Sequence, residues 1–171
     1  LLQRFIRDGK KIILTYKEAI DPIYDITAKF LDRIILLTNL KPYCVDIPFF
    51  RNMEKLSYLL NQTRKNNVLP ILSVHLSGKP ANFLDEFINY CSSFGSGIIK
   101  IVFPENTSNC FSRLDELYSF FPSNMLLCFV AGDSGKESRL KALDFGAPFT
   151  FVSSEKFKPT GSGQINFEEL L

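Results

Sequence analysis

At 171 residues the chain has the length of one ordinary domain, enough to bury a core. Its 46% hydrophobic and 22% charged content is that of a soluble globular protein, and a net charge of +2 with interspersed signs leaves no nucleic-acid footprint. No apolar stretch approaches a membrane span, and the four scattered cysteines (Cys44, Cys91, Cys110, Cys128) form no CxxC pair, which favours reduced core thiols in a cytoplasmic protein over zinc ligands or disulfides.

A helical segment is predicted over residues 1–7. Strand-like runs follow at 11–16, 43–47, 69–75, 97–103, 125–130 and 148–152. Helical periodicity falls between them at 23–37, 52–65, 82–93, 111–120 and 136–145, and a short amphipathic piece closes the chain at 167–171. Strands alternating with helices of ten to fifteen residues imply βαβ units and a parallel sheet, an α/β fold. No strand is followed by a dinucleotide or P-loop fingerprint; Gly132-Asp133-Ser134-Gly135 is the nearest approach and lacks the pattern.

The fourth run, Gly97-Ile98-Ile99-Lys100-Ile101-Val102-Phe103, carries a lysine inside a β-branched stretch that reads as buried on both faces. An ammonium buried there is expected to shift toward its neutral amine, a nucleophile able to condense with a ketone or aldehyde. The alternative is a strand-end lysine whose head group snorkels into solvent.

In parallel α/β proteins the chemistry gathers at the carboxyl ends of the strands. Thr15-Tyr16-Lys17 ends the first strand, with Asp21 close behind. The third ends in Ser73-Val74-His75, whose histidine is the only one in the chain. It lies on the strand before Lys100 in sequence and at a matching height, which favours a general base paired with an imine-forming lysine. The fifth runs into Gly132-Asp133-Ser134-Gly135-Lys136-Glu137-Ser138-Arg139. That segment also reads as a helix start with Ser134 as cap and Glu137 as its reciprocal partner. The sixth is followed by Thr160-Gly161-Ser162-Gly163-Gln164.

These segments resemble, in order and spacing, the type I 3-dehydroquinate dehydratases of the shikimate pathway. Leu72-Ser73-Val74-His75 is similar to that family's strand ending in S-x-H, and the Lys100 strand to its G-A-D-I-V-K-I-A. The 132–139 segment is similar to its G-x-x-G-x-x-S-R loop, and 149–164 to its final strand and S-A-P-G-Q loop. The resemblance implies a (β/α)8 TIM barrel, here a partial, single-domain barrel of about six βα units over residues 1–171. It also implies a Schiff-base lyase acting in aromatic amino-acid biosynthesis. Lys100 would be the imine-forming lysine and His75 the general acid–base. Arg139 would bind the substrate carboxylate, Gln164 and Thr160 would contact 3-dehydroquinate, and Lys17 and Asp21 would complete the site. No metal or organic cofactor is implied, and no nucleic-acid or membrane partner. A homodimer and fusion to another shikimate-pathway domain are both compatible with the resemblance.

Several positions depart from the family pattern. Lys17 stands where the family has arginine, losing a bidentate fork. Gly97 and Leu76 replace acidic residues, Thr160 replaces serine and Ser162 replaces proline. The family's first two βα units, with an E-x-R-x-D strand, have no counterpart, so residues are expected on the N-terminal side. A catalytically impaired regulatory or ligand-sensing domain of a larger protein is therefore the alternative function. Another lysine-dependent aldolase-type enzyme is disfavoured by the Ser138-Arg139 and Gly163-Gln164 pairs.

Overall fold

Parallel pairing organises the chain, as the alternation of strands and helices predicts. The computed structural model describes residues 2–17, 23–154, 159 and 161–170, residues 169 and 170 through their backbone only. The chain divides into two compact units, Leu1–Val74 with Asp85–Ile98 and His75–Leu84 with Ile99–Leu171.

In the first unit, helix α1 (Leu2–Arg7) leads into strand β1 (Ile13–Thr15), followed by α2 (Ala28–Asn39), β2 (Cys44–Pro48), α3 (Met53–Lys65) and β3 (Leu69–His75), whose last residue, His75, belongs to the second unit. Strand β2 pairs in parallel with β1, aligning Leu14 with Val45, and with β3, aligning Ile47 with Leu72. Helix α2 buries Phe30, Ile34 and Thr38, one stripe at four-residue spacing. It starts five residues later than the periodicity predicts. Thr27 accepts the Phe30 N–H at 3.0 Å as its N-cap, while Asp25 accepts the Ile26 N–H at 2.7 Å. Such side-chain acceptors hold the preceding backbone outside the helix. Helix α3 is capped by Asn52 and buries Leu56, Leu59, Leu60 and Thr63, with Glu54 in its first turn and Arg64 and Lys65 in its last, matching the helix dipole. Arg64 then reaches the carbonyls of Phe94 and Ser96. Helix α4 (Phe83–Cys91) precedes that turn. Gly97, at φ +154°, has no room for a Cβ, which would run into the Phe94 ring and the Pro70 carbonyl. The family's aspartate is therefore excluded from this position by packing.

The second unit holds β4 (Ile98–Phe103), α5 (Cys110–Phe120), β5 (Leu126–Val130), α6 (Lys136–Asp144), and the short strands β6 (Val152–Ser153) and β7 (Ile165–Asn166). A 3-10 turn (Phe167–Leu170) takes the place of the predicted closing piece. Strand β5 pairs in parallel with β4. Its Ala131 N–H bonds the Phe103 carbonyl, so by alternation the amides of Cys128 and Val130 point to the opposite edge. Side chains satisfy them there: the Tyr118 hydroxyl accepts from Cys128 at 2.9 Å and the Ser138 hydroxyl accepts from Val130 at 2.9 Å. With that edge occupied, the predicted strand at 148–152 does not extend the sheet. Only Val152–Ser153 is a strand, and it pairs with β7. No helix among the described residues is long and apolar enough to cross a membrane.

Cys44, Cys91 and Cys128 are buried and unpaired, as the scatter of cysteines predicts, while Cys110 is half-buried. Burial, reinforced by the charge of Asp46, pushes the Cys44 thiol up to about 11; burial alone pushes Cys91 to about 12 and Cys128 further in the same direction. Unfolded thiols ionise near their usual 9.0 while these stay protonated, so their contribution to stability is complete below pH 9 and lost as pH rises toward 11–12. The urea midpoint is expected to fall over that range, and less steeply in a Cys44→Ala, Cys91→Ala double variant. Equal slopes in the two proteins would contradict the assignment.

Candidate functional site

Strand register sorts the second unit's side chains. Lys100 lies opposite Leu127, and Val102 opposite Phe129. Paired residues of parallel strands point the same way and alternate residues share a face, so these four side chains occupy one face. Ile99, Ile101, Phe103, Leu126, Cys128 and Val130 occupy the other. His75 joins the first face: the Leu76 N–H donates to the Val102 carbonyl at 2.9 Å, the offset by which Ala131 bonds Phe103 beside the Val130–Phe103 pair. His75 is thus the cross-strand neighbour of Val102. It stands one alternation beyond Lys100, on a diagonal of about 8 Å from strand spacings, and not level with it as the sequence alone suggests.

Lys100 is only 5% exposed, and its Nζ stands 5.1 Å from the centre of the Phe151 ring. Phe151 is held edge to face against Phe149, with centroids 5.5 Å apart. The lysine therefore belongs to the buried reading of its strand, under an aromatic roof, and not to a solvated strand end.

Arg139 comes from α6 and is 4% exposed. Its guanidinium carbon lies 4.1 Å from the centre of the Phe129 ring, and Nη2 donates to the Ser162 carbonyl at 3.2 Å. Among the described residues, the buried Nε has no hydrogen-bond partner and no carboxylate pairs with the side chain. Burial lowers the pKa of this guanidinium from its ordinary value, which still leaves it cationic. A buried cation that no described carboxylate neutralises is a candidate partner for an anion.

Two close backbone approaches shape the loops around Arg139. The 3-10 turn Asp133–Gly135 leads into α6, whose N-cap is Gly135. The predicted Ser134–Glu137 capping box does not form. Ser134 accepts from the Asn106 N–H at 3.4 Å, and Glu137 pairs with Lys141 at 3.6 Å. Ser138 instead donates to the Gly135 carbonyl at 2.6 Å and thereby sets the height of the next residue, Arg139. The Glu105 carboxylate accepts from the Asp133 N–H at 3.1 Å, packed where a Cβ on Gly132 would stand. Gly163, at φ +70°, sits against the Gly132 carbonyl with no space for a side chain. That approach carries Ser162 to Arg139 and Gln164, which is half-buried, to the start of β7.

Of the site residues expected from sequence, His75, Lys100, Arg139 and Gln164 all lie in the second unit. Lys17 is exposed, two residues beyond β1 in the first unit. Asp21 and Thr160 lie outside the described residues. Phe129 and Phe151 were not singled out from sequence. Counting by twos from the partner of Lys100 reaches Phe129, but the pairing register needed for that count is not written in the sequence.

The sequence profile described as type I 3-dehydroquinase matches residues 6–171. Among solved structures, the 3-dehydroquinate dehydratase of Aquifex aeolicus VF5 is similar at 26% identity and TM-score 0.75, over 99% of this chain and 75% of that one. The type I 3-dehydroquinate dehydratase of Clostridium difficile, solved with covalently modified comenic acid, matches at 18% identity and TM-score 0.71, over 92% of this chain and 64% of that one. The dehydroquinate dehydratase and shikimate dehydrogenase portion of S. pombe AroM matches at 19% identity and TM-score 0.74, over 98% of this chain and 33% of that one. At such identities the last two speak for the fold alone. The chain thus spans about 64% of the length of the C. difficile enzyme, and its parallel βα units match part of that barrel. No curated protein matches the sequence.

Gly163→Ala is expected to cost at least about 1 kcal/mol, because the residue combines positive φ with a backbone carbonyl in the way. Gly161→Ala, with open space around it, serves as the near-neutral control. Equal melting temperatures for the two variants would refute the close-approach argument.

Proposed function

Because the chain belongs to the type I 3-dehydroquinase family, we propose that it is the lyase converting 3-dehydroquinate to 3-dehydroshikimate and water through a Schiff base on Lys100, with residues 1–171 acting as a single catalytic domain. One observation carries the proposal: Lys100 is buried on one face of β4, and over the Phe129 ring on the same face of β5 lies the buried Arg139 guanidinium, which no described carboxylate pairs with. A substrate bearing both a ketone and a carboxylate satisfies both groups.

The Lys100 amine, neutral when it attacks, adds to the ketone, and loss of water gives the iminium. The iminium draws electrons from the adjacent carbon–hydrogen bond. His75 takes that proton and returns it to the departing hydroxyl, which leaves as water. Hydrolysis of the product iminium frees Lys100, so one water is lost overall. Arg139 holds the substrate carboxylate through charge-assisted hydrogen bonds, while Gln164 and Thr160 contact the substrate from the last loop. Asp21 orients His75 and holds its tautomer. Lys17 meets the substrate as a point charge in place of the family's arginine fork.

Borohydride reduction in the presence of 3-dehydroquinate is expected to leave a covalent adduct that peptide mapping assigns to Lys100, absent in Lys100→Met. Ligand binding without an adduct would refute the enzyme and favour a ligand-sensing domain, the reading that the loss of the arginine at position 17 supports. His75→Ala is expected to retain the trapped adduct while losing roughly 10²–10⁴-fold in kcat. Turnover near the wild-type rate in that variant would remove His75 from its role.

A further inference from the structure

Phe129 has no part in the reaction just described, yet its ring is the aromatic contact of Arg139, a buried cation that no described carboxylate pairs with. The residue is 4% exposed on β5, on the face that carries Lys100. Arg139 Cζ lies 4.1 Å from its ring centre, near enough for the guanidinium to rest against the aromatic face. The Ser162 carbonyl takes one Nη2 hydrogen, while the buried Nε has no hydrogen-bond partner among the described residues.

Two restraints of different kind act here. A ring 4.1 Å from Cζ closes one side of the guanidinium and limits its movement there. A carbonyl at its edge limits its rotation within the plane. Together they leave the remaining N–H donors lying in one plane. A planar anion meets such donors edge on, so the clamp selects a carboxylate over an isosteric neutral group.

We propose that Phe129 is the positioning residue for Arg139, and that the Phe129–Arg139–Ser162 clamp sets the selectivity of this site for a carboxylate. The inference rests on reading Arg139 as the carboxylate's partner. It adds that the selectivity depends on an aromatic residue acting through the guanidinium.

The test uses the full-length protein carrying Lys100→Met, which removes imine formation and turnover, with binding measured by calorimetry. The probes are 3-dehydroquinate and its carboxamide analogue. Adding Phe129→Leu, which keeps an apolar side chain but no ring, is expected to weaken 3-dehydroquinate binding roughly tenfold and to shrink the carboxylate-to-carboxamide preference by a similar factor. Phe129→Tyr is expected to keep both within about twofold. Arg139→Gln marks full loss of the preference. A Phe129→Leu protein with an unchanged preference, whatever its melting temperature, overturns the proposal, because a merely structural ring would lower stability without altering that ratio. Failure of the parent to bind 3-dehydroquinate overturns the clamp together with the substrate reading. The expected ratios in a protein whose wild type gives no borohydride adduct would support the clamp and reject the dehydratase.

Discussion

The pairing of β4 with β5 is the constraint on which the second unit depends. Register places Lys100 beside Leu127 and Val102 beside Phe129. Slipping either strand by one residue would turn every side chain to the opposite face, sending the lysine among the helices and the isoleucines into the site. Side chains of the flanking helices reinforce that register from beyond the pair: Tyr118 and Ser138 bond the Cys128 and Val130 amides on the outer edge of β5. Ser138 therefore links strand and helix, fixing where β5 ends and where Arg139 begins.

Arg139 is buried at a cost to stability. Withdrawing a guanidinium from water costs several kcal/mol. The aromatic contact with Phe129 returns about 2 kcal/mol at a desolvated site, and the bond to Ser162 roughly 1.5–3 kcal/mol more. The buried Nε, without a hydrogen-bond partner among the described residues, leaves part of that cost unrecovered. Contacts with the described residues do not balance the desolvation comfortably. A site in that condition gains most from a ligand that brings its own negative charge.

Much of this was legible in the sequence because hydrophobic period reports burial directly. Apolar runs located β2 through β5, and the lysine within the fourth was left between a buried amine and a snorkelling strand end, which its burial decides. Local motif reading fared worse where backbone competition decides the outcome. Ser134 and Glu137 have the spacing of a capping box, yet the glycines around them let the chain turn through a 3-10 segment first, and Gly135 becomes the cap. The start of α2 was misplaced for a similar reason, with Asp25 and Thr27 drawing backbone amides to their own side chains. The predicted sixth strand had the composition for pairing, but its place on β5 was taken by side chains from α5 and α6. Phe129 was invisible for another reason: an aromatic on a strand reads as core until the register shows which cation it meets.

Arg139 is bonded to the backbone carbonyl of Ser162, not to its hydroxyl. Every residue type, proline included, offers that same oxygen. The change from the family's proline to serine at position 162 thus leaves the acceptor chemistry intact, and the side chain there is free to drift without disturbing the arginine. The neighbour Gly163 enjoys no such licence, since the Gly132 carbonyl occupies the space of its missing side chain. Adjacent positions of one loop are therefore under opposite packing constraints, one tolerant because only its main chain is read, the other strict because only its main chain fits.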